Sequence, residues 1–305
     1  MTTAIVFPGL APSTYETVKD FVEENPYARR RFAEADEVLG FSLIEAFKNA
    51  QEEDWEINEC AFLVNTVALA DYAVDHFSLD PAYCVGSSFG ATAGAVFTGS
   101  ITFREALWLS YQSTVREKAY ADKNLKGYQS DFIYRYPLEK ARKLVQEYAQ
   151  KGEWLEIASY LSDDLMAVCG KEHVIQEVKK RVRQEKGISL FTMNRLIHCS
   201  ELKEIREQLD REVHSQVTFG PARIPMISDI DGSIFDQPHT IKTTLLDEYD
   251  RAIRLDLAIE TMKQTGIEKV HIIGPRNIFG PLMRDAFDVQ LISPENVQKA
   301  IKKSG

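Results

Sequence analysis

Residues 82–97 constrain the fold more than any other stretch of the chain. A short apolar run, Ala82-Tyr83-Cys84-Val85, leads into Gly86-Ser87-Ser88-Phe89-Gly90, and a small-residue run, Ala91-Thr92-Ala93-Gly94-Ala95-Val96-Phe97, follows. Strand, G-x-S-x-G turn and helix in that order describe a nucleophile elbow, in which glycines allow a tight turn that projects the central hydroxyl clear of the backbone. The order predicts an α/β architecture with Ser88 as the leading nucleophile candidate. The pentapeptide alone also fits a tight turn that carries no chemistry, so the reading leans on the rest of the chain.

Around the elbow the period of the apolar residues changes twice. Residues 4–7 read as a strand that stops at Pro8-Gly9, and three-to-four spacing then dominates from about Tyr15 to His76. Thr102 with Glu105 matches a capping box at the start of a further helix. Between Gly127 and Asn194 the pattern predicts strand 130–136, helix 138–149, strands 154–161 and 165–169, helix 171–185 and strand 188–193. That β-α-β-β-α-β order describes a ferredoxin-like subdomain inserted into a larger domain. The chain then returns with helix 200–214, a strand at Ile224-Pro225-Met226-Ile227-Ser228, helix 242–262, a strand at Val270-His271-Ile272-Ile273 and the turn Gly274-Pro275. The expected fold class is therefore α/β: an α/β-hydrolase-like large domain with a central, mostly parallel sheet (1–126 and 198–305), plus a ferredoxin-like (βαββαβ) small subdomain at 127–197.

Charge and cysteine usage exclude several functions. A net charge of -10 over 305 residues argues against nucleic acid as a partner. Cys60, Cys84, Cys169 and Cys199 are far apart and lack zinc spacing, so the expectation is buried thiols and no metal. The amino terminus reads as a strand with no basic leader, and no stretch approaches membrane-spanning length, which predicts a cytoplasmic protein with no membrane partner; the expected oligomeric state is a monomer.

A serine hydroxyl needs a base within hydrogen-bond reach, normally a histidine. His76, His173 and His214 sit in polar or helical contexts where a surface role is the default, His239 lies in a Pro-containing loop, and His271 falls inside a strand. His198, in Arg195-Leu196-Ile197-His198-Cys199, stands where the insert rejoins the main domain and can lean over the cleft between them. It is the candidate base.

With these residues in place the chain resembles the malonyl-CoA:acyl carrier protein transacylase family (FabD-like), including the trans-acting acyltransferases of polyketide assembly lines. Val6-Phe7-Pro8-Gly9 resembles the family's opening F-P-G-Q, Gly86-Ser87-Ser88-Phe89-Gly90 its G-H-S-L-G and Gly99 through Ala106 the helix start that follows. His198-Cys199 is similar to its S-H-C, Ile224-Pro225-Met226-Ile227 to its V-P-V-V strand and Gly274-Pro275 to its G-P-G turn. The resemblance implies ping-pong acyl transfer through an acyl-serine, with Ser88 attacking a thioester and His198 as base and then acid. It implies oxyanion donors at the backbone N–H groups of Phe89 and Leu10, and a backbone carbonyl near Glu248 that orients the histidine. No tightly bound cofactor is implied; the phosphopantetheine thioester of a carrier protein, or coenzyme A, is substrate.

Departures from the family pattern bear on the acyl group. Malonyl-selective members carry an arginine after the elbow that holds the free carboxylate bidentately; the corresponding position is Ser113, with Arg116 one turn along as the alternative. The family's histidine before the nucleophile is Ser87, its glutamine near residue 60 is Glu59, and its N-S-P-G-Q segment reads Leu161-Ser162-Asp163-Asp164-Leu165. Arg195 and Ile197 complete the expected pocket. These changes argue for an acyl group other than malonyl, an amine-bearing one included if Glu59 points into the cleft. Lys140, Arg142, Lys143, Lys179, Lys180, Arg181 and Arg183 are the candidates for docking an acidic carrier protein. A carrier-protein thioester hydrolase, and a malonyl transacylase with an altered carboxylate site, remain as alternatives; a catalytically dead docking module is disfavoured because serine and histidine are both present.

Overall fold

The computed structural model describes residues 2–304 except Leu10, Pro12, Asn277 and Ile278. Strand β1 (Thr2–Phe7) opens the chain, followed by four helices: α1 (Tyr15–Glu24), α2 (Pro26–Leu39), α3 (Leu43–Asn49) and α4 (Trp55–His76). Then come β2 (Tyr83–Gly86), α5 (Gly90–Phe97) and α6 (Phe103–Asn124), the last with the capping box at Thr102 and Glu105 formed. The insert contributes β3 (Tyr128–Tyr134), α7 (Leu138–Gln150), β4 (Leu155–Tyr160), β5 (Leu165–Lys171), α8 (Glu172–Gln184) and β6 (Ile188–Met193). The return path is α9 (Lys203–Glu212), β7 (Met226–Ile227), β8 (Ile234–Phe235), α10 (Pro238–Asp250), β9 (Ile253–Arg254), α11 (Leu255–Gln264), β10 (Ile267–Ile273), α12 (Phe279–Met283), β11 (Asp288–Ile292) and α13 (Pro294–Ser304).

Two sheets result. The first has the order β11-β10-β1-β2-β7-β8 and is parallel except for the terminal β7–β8 pair. Its middle strand β1 is buried on both faces, as a parallel strand must be: Ile5 and Phe7 pack into the helical core of α1–α6, while Ala4 and Val6 pack against α11 and β10. The second sheet runs β6-β3-β5-β4-β9, antiparallel through its first four strands. Helices α7 and α8 cover one face through residues such as Leu144, Val174 and Val178. Ala158, Ala167 and Cys169, on the other face, join the large core.

Three sequence expectations fail here. The helix expected at 242–262 is two helices separated by β9, although apolar residues continue through the break. Ile253 is buried and β9 pairs in parallel with β4, Ser159 opposite Ile253 and Tyr160 opposite Arg254. Tertiary pairing overrides the helical period. The strand expected at 224–228 shortens to two residues, and His239 lies in the first turn of α10 rather than in a loop.

The elbow is built by close approach. A Cβ on Gly90 would lie 2.2 Å from the Phe7 carbonyl oxygen, and one on Gly86 would lie 2.3 Å from the Ala91 Cα. Backbone atoms cannot yield as a flexible side chain can. Gly90→Ala is therefore expected to lower stability by about 1–3 kcal/mol or more, read as a shift of the denaturant midpoint. An unchanged midpoint would mean that β1 and the elbow do not touch as described.

Candidate active site

Ser88 itself, not a glycine, occupies the left-handed region, with φ 52°, and His198 does the same with φ 50°. Such conformations cost of order 1–3 kcal/mol each and persist only where the surroundings hold them. Here they bring the pair together: Ser88 Oγ lies 2.8 Å from His198 Nε2. On the far side of the ring, Nδ1–H donates to the backbone carbonyl of Glu248. That bond fixes the tautomer and leaves Nε2 to accept the serine proton. Burial pushes His198 down to about 4, the Glu248 carbonyl opposing and Arg195 reinforcing the shift, so the ring is neutral at pH 7.

The opening loop meets the nucleophile directly. Ser87 N–H donates to the Phe7 carbonyl at 3.0 Å, and a Cβ on Gly9 would stand 3.2 Å from the Ser88 Cβ. Gly274, in the later Gly-Pro turn, packs on the Pro8 ring. The Phe89 N–H, next in the chain to Ser88, has no acceptor among the described residues. Leu10, the other expected oxyanion donor, lies outside the described residues.

A cavity of about 90 Å³, room for several water-sized groups, opens at the pair. Ser88, Phe89, His198, Glu248, Ile197 and Arg195 all line it, as does Glu59. Arg195 is not free. Its Nη1 donates to Glu59 Oε1 at 2.8 Å, its guanidinium stacks 4.6 Å from the Trp55 ring, and Glu59 Oε2 accepts from the Thr114 hydroxyl at 2.6 Å. Both side chains are almost buried, at 10% and 7% exposure, so the pair is closed on itself away from water.

Three expected pocket residues lie elsewhere. Ser113 is 1% exposed and does not line the cavity; the face of α6 that does carries Ser110, Thr114 and Glu117. Ser87 turns its hydroxyl to the Asp229 carboxylate, and Leu161 packs in the core with Ala4 and Val6. Arg116 is engaged away from the cavity, with Glu212 of α9 and with Gln112.

Four residues of this region escaped the sequence reading. Glu117 lines the cavity, and burial pushes its carboxyl up to about 7 against the pull of Arg195. His214, expected on the surface, is 1% exposed and forms part of the cavity wall, held near 4 by burial. Tyr249 lines it as well. Asp229 sits beneath Ser88 at the carboxyl end of β7, where α/β sheets place their sites, a signal that was available.

The basic docking candidates are largely neutralised. Lys140 pairs with Glu185, Arg142 with Glu139, and Arg181 with Glu147 and Glu185. Lys179 is 16% exposed and bonds the Thr192 hydroxyl. Lys143, Lys180 and Arg183 are exposed, with no ion pair among the described residues. Those residues also hold no cluster of three His, Cys, Asp or Glu side chains suited to a metal ion, and no helix long and apolar enough to cross a membrane. All four cysteines are buried thiols.

This geometry can be set beside known proteins. Residues 132–193 match a family model described as the VinK acyltransferase small domain. Over 98% of its length the chain is 22% identical to the malonyl CoA-acyl carrier protein transacylase of Escherichia coli O157:H7, covering 97% of that protein. The match runs end to end and spans elbow, histidine and insert. The chain is an acyltransferase similar to these transacylases. FabD from Acinetobacter baumannii has the same fold, with a TM-score of 0.86 at 21% identity over 100% of this chain and 99% of that one. A malonyl-transacylase solved with its type II polyketide acyl carrier protein matches at a TM-score of 0.84 and 19% identity, with 96% of each chain covered. In this acyltransferase, then, the hydrogen-bonded serine and histidine line a cavity whose arginine is already paired.

Proposed function

We propose that this acyltransferase moves an acyl group without a free carboxylate onto or between acyl carrier proteins, in polyketide or related biosynthesis, through an ester on Ser88. His198 Nε2 takes the Ser88 proton as Oγ attacks the thioester carbonyl, and the Phe89 N–H donates to the oxyanion that forms. As the C–S bond breaks, the imidazolium returns its proton to the departing thiolate. A second phosphopantetheine thiol then gives its proton to His198 and attacks the ester, releasing Ser88. The Glu248 carbonyl stabilises the transient imidazolium and keeps its orientation.

The observation that carries the acyl preference is the Arg195–Glu59 pair. A malonyl carboxylate bonded to this guanidinium would share it with Glu59 and bring a second negative charge beside a buried carboxylate. Glu117 favours a second possibility, an amine-bearing chain, because an ammonium in the cavity would draw off its proton and take its charge. Carrier delivery is supported by the polyketide carrier complex of a similar fold, and the 4-1-3-2 order of the insert's own strands supports a ferredoxin-like subdomain at 127–197.

The direct test is intact-mass measurement of the acyl-enzyme after mixing with malonyl, neutral acyl and aminoacyl thioesters, followed by a carrier thiol. Malonyl loading as fast as the best neutral chain refutes the acyl reading, and release only to water turns the enzyme into a hydrolase. Because neutral His198 is the base and burial holds it near 4 rather than 6.5, acylation is expected to remain measurable in mild acid and to be lost completely only as pH falls through about 4. Complete loss already at pH 6 is the contrary result. Reversing the charges of Lys143, Lys180 and Arg183 is expected to slow association with an acidic carrier and to flatten its salt dependence. Unchanged carrier rates would move docking off α7 and α8.

A further inference from the structure

Asp229 is fully buried on the loop that leaves β7. Its Oδ2 accepts the backbone N–H of Ser88 at 2.7 Å, and the Ser87 hydroxyl also bonds its carboxylate. Its own carbonyl accepts the N–H of Arg254 at 2.5 Å. Arg254 belongs to β9, the edge strand that pairs with β4 of the second sheet. One residue thus touches the strained nucleophile with its side chain and the insert's sheet with its main chain.

We propose that Asp229 is a positioning residue for the nucleophile: its carboxylate holds Ser88 in the left-handed conformation that points Oγ at His198, and its main chain ties that hold to the second sheet. The left-handed conformation turns the Ser88 N–H away from α5, and Oδ2 is the acceptor it finds. A carboxylate is a stronger acceptor than a neutral acid, so the hold is firmest when Asp229 is ionised. Burial pushes its carboxyl up to about 6, with the Ser88 N–H and the Ser87 hydroxyl opposing. The other carboxyl groups near it are Asp231 on the same loop and Glu248 on α10, the latter pushed well up by burial. The hold is therefore complete above about pH 6 and weakens as pH falls through that value, before His198 is protonated.

The inference rests on Ser88 being the nucleophile, and the experiment separates the two. Single-turnover acylation by a neutral acyl thioester is measured against pH for the wild type, Asp229→Ala and Asp229→Asn, together with labelling of Ser88 by a fluorophosphonate. Asparagine keeps an acceptor oxygen but cannot titrate. Asp229→Ala is expected to acylate about 10–100-fold more slowly at pH 7.5 with KM nearly unchanged, as when a reacting group is misplaced by a fraction of an ångström. Asp229→Asn is expected to acylate near the rate of the wild type's acidic limb, faster than Asp229→Ala, and to lose the inflection near pH 6. Wild-type rates in Asp229→Ala, or an equal loss in both variants, or an inflection that survives in Asp229→Asn, would overturn the proposal. Failure of the wild type to label at Ser88 would instead remove the nucleophile assignment itself.

Discussion

Ser88→Ala is expected to form no acyl-enzyme with any thioester, and His198→Ala to acylate several orders of magnitude more slowly, approaching the roughly 10⁶-fold losses seen when a serine–histidine unit is broken. The two residues share one proton across 2.8 Å, so their effects should not add. A double variant is expected to be hardly worse than Ser88→Ala alone. Intact mass, read over minutes, checks the first statement, and single-turnover rates check the others. Wild-type acyl transfer by Ser88→Ala would end the assignment.

Glu59→Gln is expected to convert the acyl preference. It removes the charge that occupies Arg195 while keeping an oxygen for the guanidinium to bond. Arg195 then faces the cavity with an unspent positive charge. A carboxylate bonded to it gains about 1.5–3 kcal/mol per charged hydrogen bond, so malonyl loading relative to a neutral acyl thioester should rise about 10–100-fold. The same change leaves a buried cation less well paired, and the melting temperature should fall. If malonyl loading relative to the neutral thioester is unchanged in Glu59→Gln, Arg195 is not the cavity's carboxylate ligand. Placing an arginine at Ser113 is not an equivalent route, because that position is 1% exposed and off the cavity wall.

How far such features could be read from the sequence depended on whether their physics is local. The elbow was legible because Gly86, Gly90 and the small residues of α5 are dictated by contact with neighbouring backbone, a demand that leaves its mark within ten residues. His198 was legible by its place after the insert. The ion pair that sets the cavity's charge joins residues 136 apart in sequence, and no local pattern announces it. Ser113, the position reached by counting from the elbow, lies off the cavity wall while its neighbour Thr114 lies on it, because a helix turns 100° per residue. His214 looked exposed because the polar residues of α9 lie around it in sequence, while the turn that follows α9 folds the ring inward. The break at β9 was invisible for the opposite reason: its two residues keep the apolar spacing of the helices on either side.

The strand β9 has a practical consequence for building chimeras. The insert looks portable, since its strands β3 to β6 are contiguous in sequence and enclose their own core. Yet the outer edge of β4 is covered by Ile253 and Arg254, which the chain supplies some sixty residues after the insert has ended. A transplant of residues 127–197 alone would carry an uncovered strand edge into its new host, and such edges invite pairing with another chain. It would also leave β9 of the donor, whose Arg254 N–H bonds the Asp229 carbonyl, without the strand it pairs with. A recombination scheme that respects the architecture moves residues 250–256 together with the insert, as two segments rather than one.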